Sequence, residues 1–269
     1  KHYGANGYTS FVVSRNMLNN EAIKYFNNDD SNLANIILDY KSQEIENKLR
    51  IETSQRAGKW EYLLGIGYEF VKYNNTTINK IFTGAGAEDI NYSTDINLHK
   101  YGAFANVGRK LLNDKLNVSF GLRVDANTYS DEMNNPLDQF SPRASASYQI
   151  NDKLSFNFNV GRYFQLPPFP ALGFQSNGIL VNKTNKITYI SSNHLVSGFE
   201  FNPTSGSRMT IEGYYKKLHR LIEYREGARL LLNDNYEQEL VRGAGDAWGF
   251  EVLAQKNATV ILAVRNVAK

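Results

Sequence analysis

The chain has 269 residues, of which 42% are hydrophobic, and carries a formal net charge of +3 with no cysteine. This length allows one large β domain or two ordinary domains, and the absence of thiols excludes disulfides, thiolate metal sites and a cysteine nucleophile. No apolar run reaches the roughly 18 residues of a transmembrane helix, and the small, scattered positive charge gives little support for nucleic-acid binding.

The N-terminal part predicts two strands separated by a loop. The first residues, KHYGANG, lack the charged and apolar regions of a signal peptide. A strand is expected from Tyr8 to Val13, and an Asn/Asp-rich surface loop from Asn16 to about Tyr40, with a helical turn near Leu33 to Leu38. The next strand runs from about Glu44 to Ala57, with apolar and charged residues alternating.

The middle of the chain alternates strongly between apolar and polar residues. After a tight turn at Gly58-Lys59, about eleven residues from Trp60 to Phe70 alternate, which is close to the length that crosses a bilayer at a tilt. A loop is expected from Asn74 to about Asn97. The return strand begins near Tyr101 and ends at a turn over Asn113-Asp114-Lys115.

One further strand and a hairpin of two strands follow. Leu116 to Ala126 alternates cleanly, and burial of each such apolar side chain in hydrocarbon is worth about 1.5 to 3 kcal/mol. After a loop around Ser130 to Asp138, the stretch FSPRASASYQINDKLSFNFNVGRYFQLPPFP from Phe140 to Pro170 predicts two strands joined by the turn Asn151-Asp152-Lys153.

The last part predicts a long segment and four more strand patterns. The segment from Leu166 to Ser192 contains Gly and Pro and precedes a strand near Leu195 to Phe201. A turn over Asn202-Pro203-Thr204-Ser205-Gly206 leads to a strand from Arg208 to about Glu223. A strand from Ala247 to Gln255, the turn Lys256-Asn257 and a final apolar piece complete about eleven strands.

The lengths of the strands and connections favour a membrane barrel over a soluble β-sandwich, which is the other fold with such alternation. Several strands reach ten residues, whereas strands of soluble proteins are typically about five or six residues long. Tight turns alternate with long loops, as in an outer-membrane barrel with one end in the periplasm and one outside. Aromatic residues at the strand ends are interpreted as interfacial girdles: Trp60, Tyr148, Phe199 and Phe201 near the turns, and Tyr73, Tyr101, Tyr129 and Phe164 near the loops. The predicted fold class is therefore all-β, an antiparallel up-and-down transmembrane β-barrel.

Three stretches resemble the barrel of TonB-dependent outer-membrane receptors. They are the hairpin FSPRASASYQINDKLSFNFNVGRYFQLPPF, the segment LVSGFEFNPTSGSRMTIEGYYKKLHRLIEYREG and the strand GDAWGFEVLAQKN, in the order expected for that family. The resemblance covers most of residues 45–257. It implies a location in the bacterial outer membrane, contact with outer-membrane lipid, and TonB-driven uptake of a scarce solute such as a siderophore, cobalamin, a glycan or a peptide.

The chain also departs from the family pattern. The family barrel has 22 strands around a plug, whereas residues 1–269 predict about half of that barrel and show no recognisable plug, TonB box or closing strand with a terminal aromatic residue. We therefore expect a barrel fragment that contacts the TonB system only through a plug and TonB box outside this sequence, and that cannot transport by itself.

Candidate ligand-binding residues lie near the loop ends of the strands. Polar and aromatic side chains there predict a solute site or a plug contact, although generic polarity of a barrel interior explains them as well. The predicted ligand-binding residues are Arg123, Asp125, Arg162, Tyr163, Gln165, Phe169 and Phe174. Arg162 falls on the apolar face of its strand, which predicts either a bulge near Gly161 or a guanidinium that extends to the membrane interface.

No catalytic, metal or cofactor site is predicted. The four histidines are not spaced as metal ligands, and Asp29-Asp30 lacks the ligand spacing of an EF-hand. Barrel proteases and lipases exist, but scattered Ser, His and acidic residues are expected in any barrel interior. The alternatives to a receptor are a passive porin-like channel, which needs no plug, and a soluble β-sandwich that binds a ligand.

Overall fold

The computed structural model describes residues 6–83, 86–224, 240–256 and 261–267. Eleven strands form one antiparallel sheet: β1 Gly7–Tyr25, β2 Ile36–Ala57, β3 Trp60–Thr83, β4 Gly86–Leu111, β5 Leu116–Asn127, β6 Ser141–Asn151, β7 Leu154–Gln165, β10 Ile190–Phe201, β11 Ser207–Tyr224, β12 Leu240–Lys256 and β13 Ile261–Val267. Each strand pairs with the next one in this series. The prediction of an up-and-down barrel of about eleven strands is confirmed.

Smaller elements occupy the connections. They are the helices α1 Asp131–Asn134, α2 Phe169–Gly173 and α3 Val181–Thr184, the two-residue strands β8 Gln175–Ser176 and β9 Ile179–Leu180, and the 3-10 turns Phe26–Asn28, Leu33–Asn35 and Pro136–Gln139. None of the helices among the described residues is long and apolar enough to cross a membrane. The described residues contain no pairing between β1 and β13, so this chain does not close the barrel.

One face of the sheet is apolar and exposed. On β3, Leu64 and Ile66 are 50% and 58% exposed, and they lie in mid-strand where no other described residue covers them fully. Phe120 on β5 and Leu195 on β10 are exposed in the same way. An apolar surface of this extent is unfavourable in water, so the outer face is the membrane-facing side of a barrel wall.

The tight turns have the chemistry that the sequence predicted. Gly58 and Gly206 adopt φ of +61° and +85°, a region that glycine enters without steric cost. In the turn between β6 and β7, the Asn151 Oδ1 accepts hydrogen bonds from the backbone N–H groups of Lys153 and Leu154, at 2.9 and 3.0 Å. These contacts fix the two-residue connection between the strands.

Two predicted loops are strands instead. The loop expected from Asn74 to Asn97 is the upper part of β3 and β4, which stay paired as far as Thr83 and Gly86. The loop expected after Asn16 is likewise strand to Tyr25, and β2 begins at Ile36. These extensions rise beyond the alternating region and carry polar residues on both faces. The periodicity that identifies a membrane strand is therefore missing, although the backbone pairing continues.

The strands that flank the last loops are also longer than predicted. β10 begins at Ile190 and β12 at Leu240, not near Leu195 and Ala247. The bulge considered near Gly161 is absent, because β7 pairs with β10 without a shift from Leu154 to Gln165. The register shift of this hairpin lies between Gln149 and Asn151, next to the turn.

The interpretation of the aromatic residues is correct at one end of the barrel and partly wrong at the other. Trp60, Tyr148, Phe199 and Phe201 are 38–48% exposed near the tight turns, and Tyr101 is exposed at the loop end. Tyr73 and Tyr129, however, are only 0% and 4% exposed, because they point inward and pack in an interior cluster. Their place in the sequence near loops did not reveal the face they occupy.

Candidate functional site

The connection between β7 and β10 folds back into the barrel. This inner segment, residues 166–189, contains α2, β8, β9 and α3. It packs on the inner face of β3, β4 and β5 through a cluster of buried side chains: Val71, Tyr73, Ile96, Leu98, Tyr129, Met133, Leu172 and Tyr189. The barrel interior is therefore narrowed at the loop end by a folded piece of the chain.

Hydrogen bonds attach the inner segment to the wall. The Tyr129 hydroxyl donates to the Leu172 carbonyl at 2.6 Å, and the Asn127 side-chain amide donates to the Tyr189 hydroxyl at 2.8 Å. Within the segment, the Asn182 amide donates to the Ala171 carbonyl at 2.6 Å. Because these polar groups are buried, loss of one partner would leave the other unsatisfied at a cost of about 1–3 kcal/mol.

Burial in this region changes the acidity of two loop tyrosines. Desolvation raises the pKa of Tyr189 to about 12, and the hydrogen bond from Asn127 opposes part of that rise. Desolvation also raises the pKa of Tyr129. Both phenols are therefore neutral hydrogen-bonding groups at physiological pH.

An upper cavity of about 330 Å³ lies directly beneath the inner segment. Two ion pairs line it: Lys100 donates to Glu69 at 2.5 Å, and the Arg123 guanidinium donates to both oxygens of Asp125 at 2.6 and 2.7 Å. Tyr189 completes the lining at the boundary with the inner segment. The charges here are balanced within the protein.

A lower cavity of about 400 Å³ continues along the same inner face and contains three arginines. Arg123 lines both cavities, and Arg50 and Arg143 line only the lower one. Arg50 forms an ion pair with Glu52, whereas Arg143 has no carboxylate within 4.0 Å among the described residues. The Arg143 guanidinium instead lies 4.3 Å from the centre of the Tyr163 ring and donates to the Ser141 hydroxyl at 3.3 Å.

An imidazole and a further cation adjoin Arg143 on the neighbouring strands. The rings of Tyr163 and His194 have centroids 4.5 Å apart, and His194 lies opposite Lys216 in the register of β10 and β11. The Lys216 ammonium lies 4.9 Å from the centre of the Tyr214 ring. Arg143 and Lys216 lie next to aromatic faces and form no ion pair among the described residues, so they make a surface suited to an anionic group.

The predicted ligand-binding residues do not form a single site. Arg123, Asp125 and Tyr163 line the two cavities. Arg162 is exposed on the outer face, with its guanidinium 5.5 Å from the centre of the Phe164 ring. Gln165 is exposed at the end of β7, and neither it nor Arg162 lines the upper or the lower cavity.

Phe169 and Phe174 belong to the inner segment. Phe169 stacks on Tyr73 with ring centroids 5.6 Å apart, and Phe174, which is 2% exposed, packs edge-on against Tyr92. Both rings thus contact the barrel wall. Their predicted role in ligand binding stays a prediction.

Four inner-face residues were missed by the sequence reasoning: Arg50, Arg143, His194 and Lys216. Arg143 was visible as the last residue of the sequence Ser141-Pro142-Arg143, on a polar strand face, and strand pairing alone would have placed it beside Gly161. His194 entered the sequence analysis only as one of four histidines that are not spaced as metal ligands. Its approach to Tyr163 depends on the pairing of β7 with β10 across a connection of 24 residues, from 166 to 189.

No cluster of three or more His, Asp or Glu side chains suited to a metal occurs in the described part of the chain. At Asp29, the carboxylate accepts hydrogen bonds from the Ser31 backbone and the Asn35 side chain at 3.1 and 3.0 Å. Its contacts are therefore those of a hydrogen-bonded turn.

The fold defines a β-barrel wall of the outer-membrane type, and comparisons with known proteins agree. A family model described as TonB dependent receptor-like, beta-barrel matches residues 2–264. The chain belongs to this family, whose members are bacterial outer-membrane proteins. No curated protein matches the sequence.

Solved structures of receptors share the fold at low sequence identity. The pyoverdine outer-membrane receptor from Pseudomonas aeruginosa is 13% identical, with a TM-score of 0.67 over 96% of this chain and 40% of that chain. The ferric yersiniabactin uptake receptor from Yersinia pestis is 11% identical, with a TM-score of 0.66 over 96% and 38%. A copper transporter is 16% identical, with a TM-score of 0.63 over 93% and 41%. The chain thus spans about two fifths of the length of these structures.

Proposed function

We propose that the protein containing this barrel wall imports a small anionic solute across the bacterial outer membrane, driven by the TonB system. The observation that carries the proposal is Arg143, an interior guanidinium with no carboxylate partner among the described residues, in a cavity of about 400 Å³. Family membership supports the coupling to TonB, which would act through a plug and TonB box outside this sequence. Small-molecule transport, not catalysis, is the proposed activity.

Charge and position together favour an anionic solute. Glu52 and Asp125 already pair with Arg50 and Arg123. Arg143 donates one hydrogen bond to the Ser141 hydroxyl and has further N–H groups for a ligand anion. A charge-assisted hydrogen bond to a carboxylate or phenolate oxygen contributes about 1.5–3 kcal/mol, and the Tyr163 ring holds the guanidinium beside the cavity. Lys216 extends the cationic surface along the wall, in the same row of the sheet as Arg143.

The proposed path passes the two cavities in turn. Beneath the inner segment, the paired charges of Arg123 and Asp125 provide hydrogen-bonding groups without a net charge. Further along the wall, Arg143 and Tyr163 supply the cation and the aromatic face. In this proposal Arg123, Asp125 and Tyr163 contact the solute, whereas Arg162 does not.

Uptake by the full-length receptor tests the proposal. Cells that produce it would be supplied with labelled ferric citrate or a ferric catecholate as anionic probes, and with maltooligosaccharide as a neutral probe. Uptake of an anionic probe that requires TonB is expected. Uptake confined to the neutral probe would refute the anionic site, and uptake that persists without TonB would indicate a passive channel.

A substitution then tests the assigned residue. Arg143→Gln should weaken binding of the transported anion about tenfold or more, from the loss of one charge-assisted contact. The matched control is Arg109→Gln, since this arginine lies on the outer face, 4.6 Å from the centre of the Trp60 ring. An equal loss in both variants would show a general defect. Heat-modifiable gel migration and membrane fractionation would verify insertion in the outer membrane.

A further inference from the structure

We propose that the outer face of β7, β10 and β11 binds the phosphate headgroup of a membrane lipid through Arg162 and Lys217. The register places Arg162, Asn193 and Lys217 in one row across these three strands. All three side chains are exposed. The row therefore presents two cations with an amide between them on the membrane side of the wall.

The row lies immediately above an apolar band. One step along the strands toward the tight turns, Val160, Leu195 and Tyr215 are 41–44% exposed, and Trp248 on β12 is 57% exposed. Two residues along a strand span about 6.6 Å, so the cations lie about that distance beyond the apolar band. Tyr and Trp mark the level of lipid headgroups, which places Arg162 and Lys217 at the loop-end interface.

The spacing suits one headgroup held between two cations. β7 and β11 are separated only by β10, so the two backbones are about 10 Å apart. Long cationic side chains at a membrane interface bury their methylene stems along apolar surface and direct the charge outward. A phosphate above Asn193 is thus within reach of both charges and of the Asn193 amide.

The surrounding charges leave both cations available. Neither Arg162 nor Lys217 forms an ion pair in the part of the chain that the structure describes. Asp246 lies opposite Lys217 in the register of β11 and β12, and its carboxylate accepts a hydrogen bond from the Tyr215 hydroxyl. His219 lies one step further along the outer side of β11, opposite Ser191. Among the described residues, Asp246 is the carboxylate that faces the row from the neighbouring strand, and the Tyr215 hydroxyl of the apolar band binds it.

Lipid binding to the full-length receptor tests this site. Native mass spectrometry in detergent micelles would measure retention of lipid A, a phosphorylated glycolipid, and of its dephosphorylated form with the same acyl chains. The phosphorylated lipid should bind more tightly, and Arg162→Gln combined with Lys217→Gln should weaken it by about fivefold for each cation removed. The matched control is Arg143→Gln with Lys216→Gln, which removes the same two charges from the inner face and should leave lipid retention unchanged.

Several results would overturn the proposal. Equal retention of the two lipids would show that the acyl chains alone bind the protein. This comparison uses the unsubstituted receptor, so it does not depend on the folding of a variant. An equal loss of lipid retention in the outer-face and inner-face variants would show that the lipid does not bind at the row of Arg162, Asn193 and Lys217. Competition by inorganic phosphate at the same concentration as the lipid would indicate a site for a free anion and not for a lipid headgroup.

Discussion

Replacement of Leu172 by alanine would test how firmly the inner segment is attached to the barrel wall. Leu172 belongs to α2, and its side chain is fully buried in the interior cluster against the barrel wall. The substitution removes about three carbon atoms from apolar contact and leaves a cavity, which together cost about 2–5 kcal/mol in a well-packed core. The inner segment carries that cost, because the strands remain paired through their backbones.

The magnitude converts directly into local opening. A loss of about 2 kcal/mol raises the open population of the segment about thirtyfold, and larger losses raise it further. Hydrogen exchange of the full-length receptor, read by mass spectrometry, should therefore accelerate by at least this factor in residues 166–189. Exchange in the paired strands β5 and β6 should stay unchanged.

The matched control is Leu137→Ala. Leu137 lies in the neighbouring connection and is 72% exposed, so the same chemical change creates no cavity there. Unchanged exchange in the inner segment of Leu172→Ala would show that the cluster does not hold it. Equal acceleration in both variants would show that the effect does not come from burial.

Two further predictions concern a close approach of the backbone and an ionisation. Gly198→Ala should destabilise the barrel by about 1–3 kcal/mol, because the added Cβ would lie 2.3 Å from the Ile211 carbonyl oxygen. Gly213→Ala is the control and should be tolerated, because a Cβ there has no atom within 4 Å among the described residues. The midpoint of the heat-modifiable gel shift measures both variants, and equal midpoints would contradict the steric argument. Burial raises the pKa of Tyr189 to about 12, so the folded protein keeps the phenol proton to a higher pH than the unfolded chain does. The neutral phenol therefore contributes fully to the stability of the fold below about pH 10, and this contribution is lost between about pH 10 and pH 12. In a tyrosinate absorbance titration, Tyr189→Phe should remove a phenol that ionises late; loss of one that ionises near pH 10 would refute the prediction.

The sequence predicted the barrel wall best where one face meets lipid. From Trp60 to Phe70 and from Leu116 to Ala126, the alternation set the strands, their faces and the turns between them. It failed above the membrane, in the hairpin that ends at Thr83 and Gly86, because polar residues occupy both faces of the strands there and the alternation is lost. The two strands of that hairpin pair through backbone hydrogen bonds, and the pattern of side chains does not indicate these bonds.

The candidate site was predicted only in part for a related reason. Arg123, Asp125 and Tyr163 could be placed on inward faces by counting along single strands. The contact between Arg143 and Tyr163 needs the pairing of β6 with β7, and that between Tyr163 and His194 needs the pairing of β7 with β10. Phe169 and Phe174 lie in a segment without periodicity, so the sequence could not show that it folds inward.

The sequence by itself determined the strand order, the two faces of the wall and the short turns, since these follow from local alternation and from turn chemistry. Only the tertiary structure decided that the connection between β7 and β10 fills the loop end of the barrel. It also decided that the interior Arg143 guanidinium has no carboxylate within 4.0 Å among the described residues. Both depend on contacts between residues far apart in the chain, such as the Tyr129 hydroxyl with the Leu172 carbonyl, and no local pattern records those contacts.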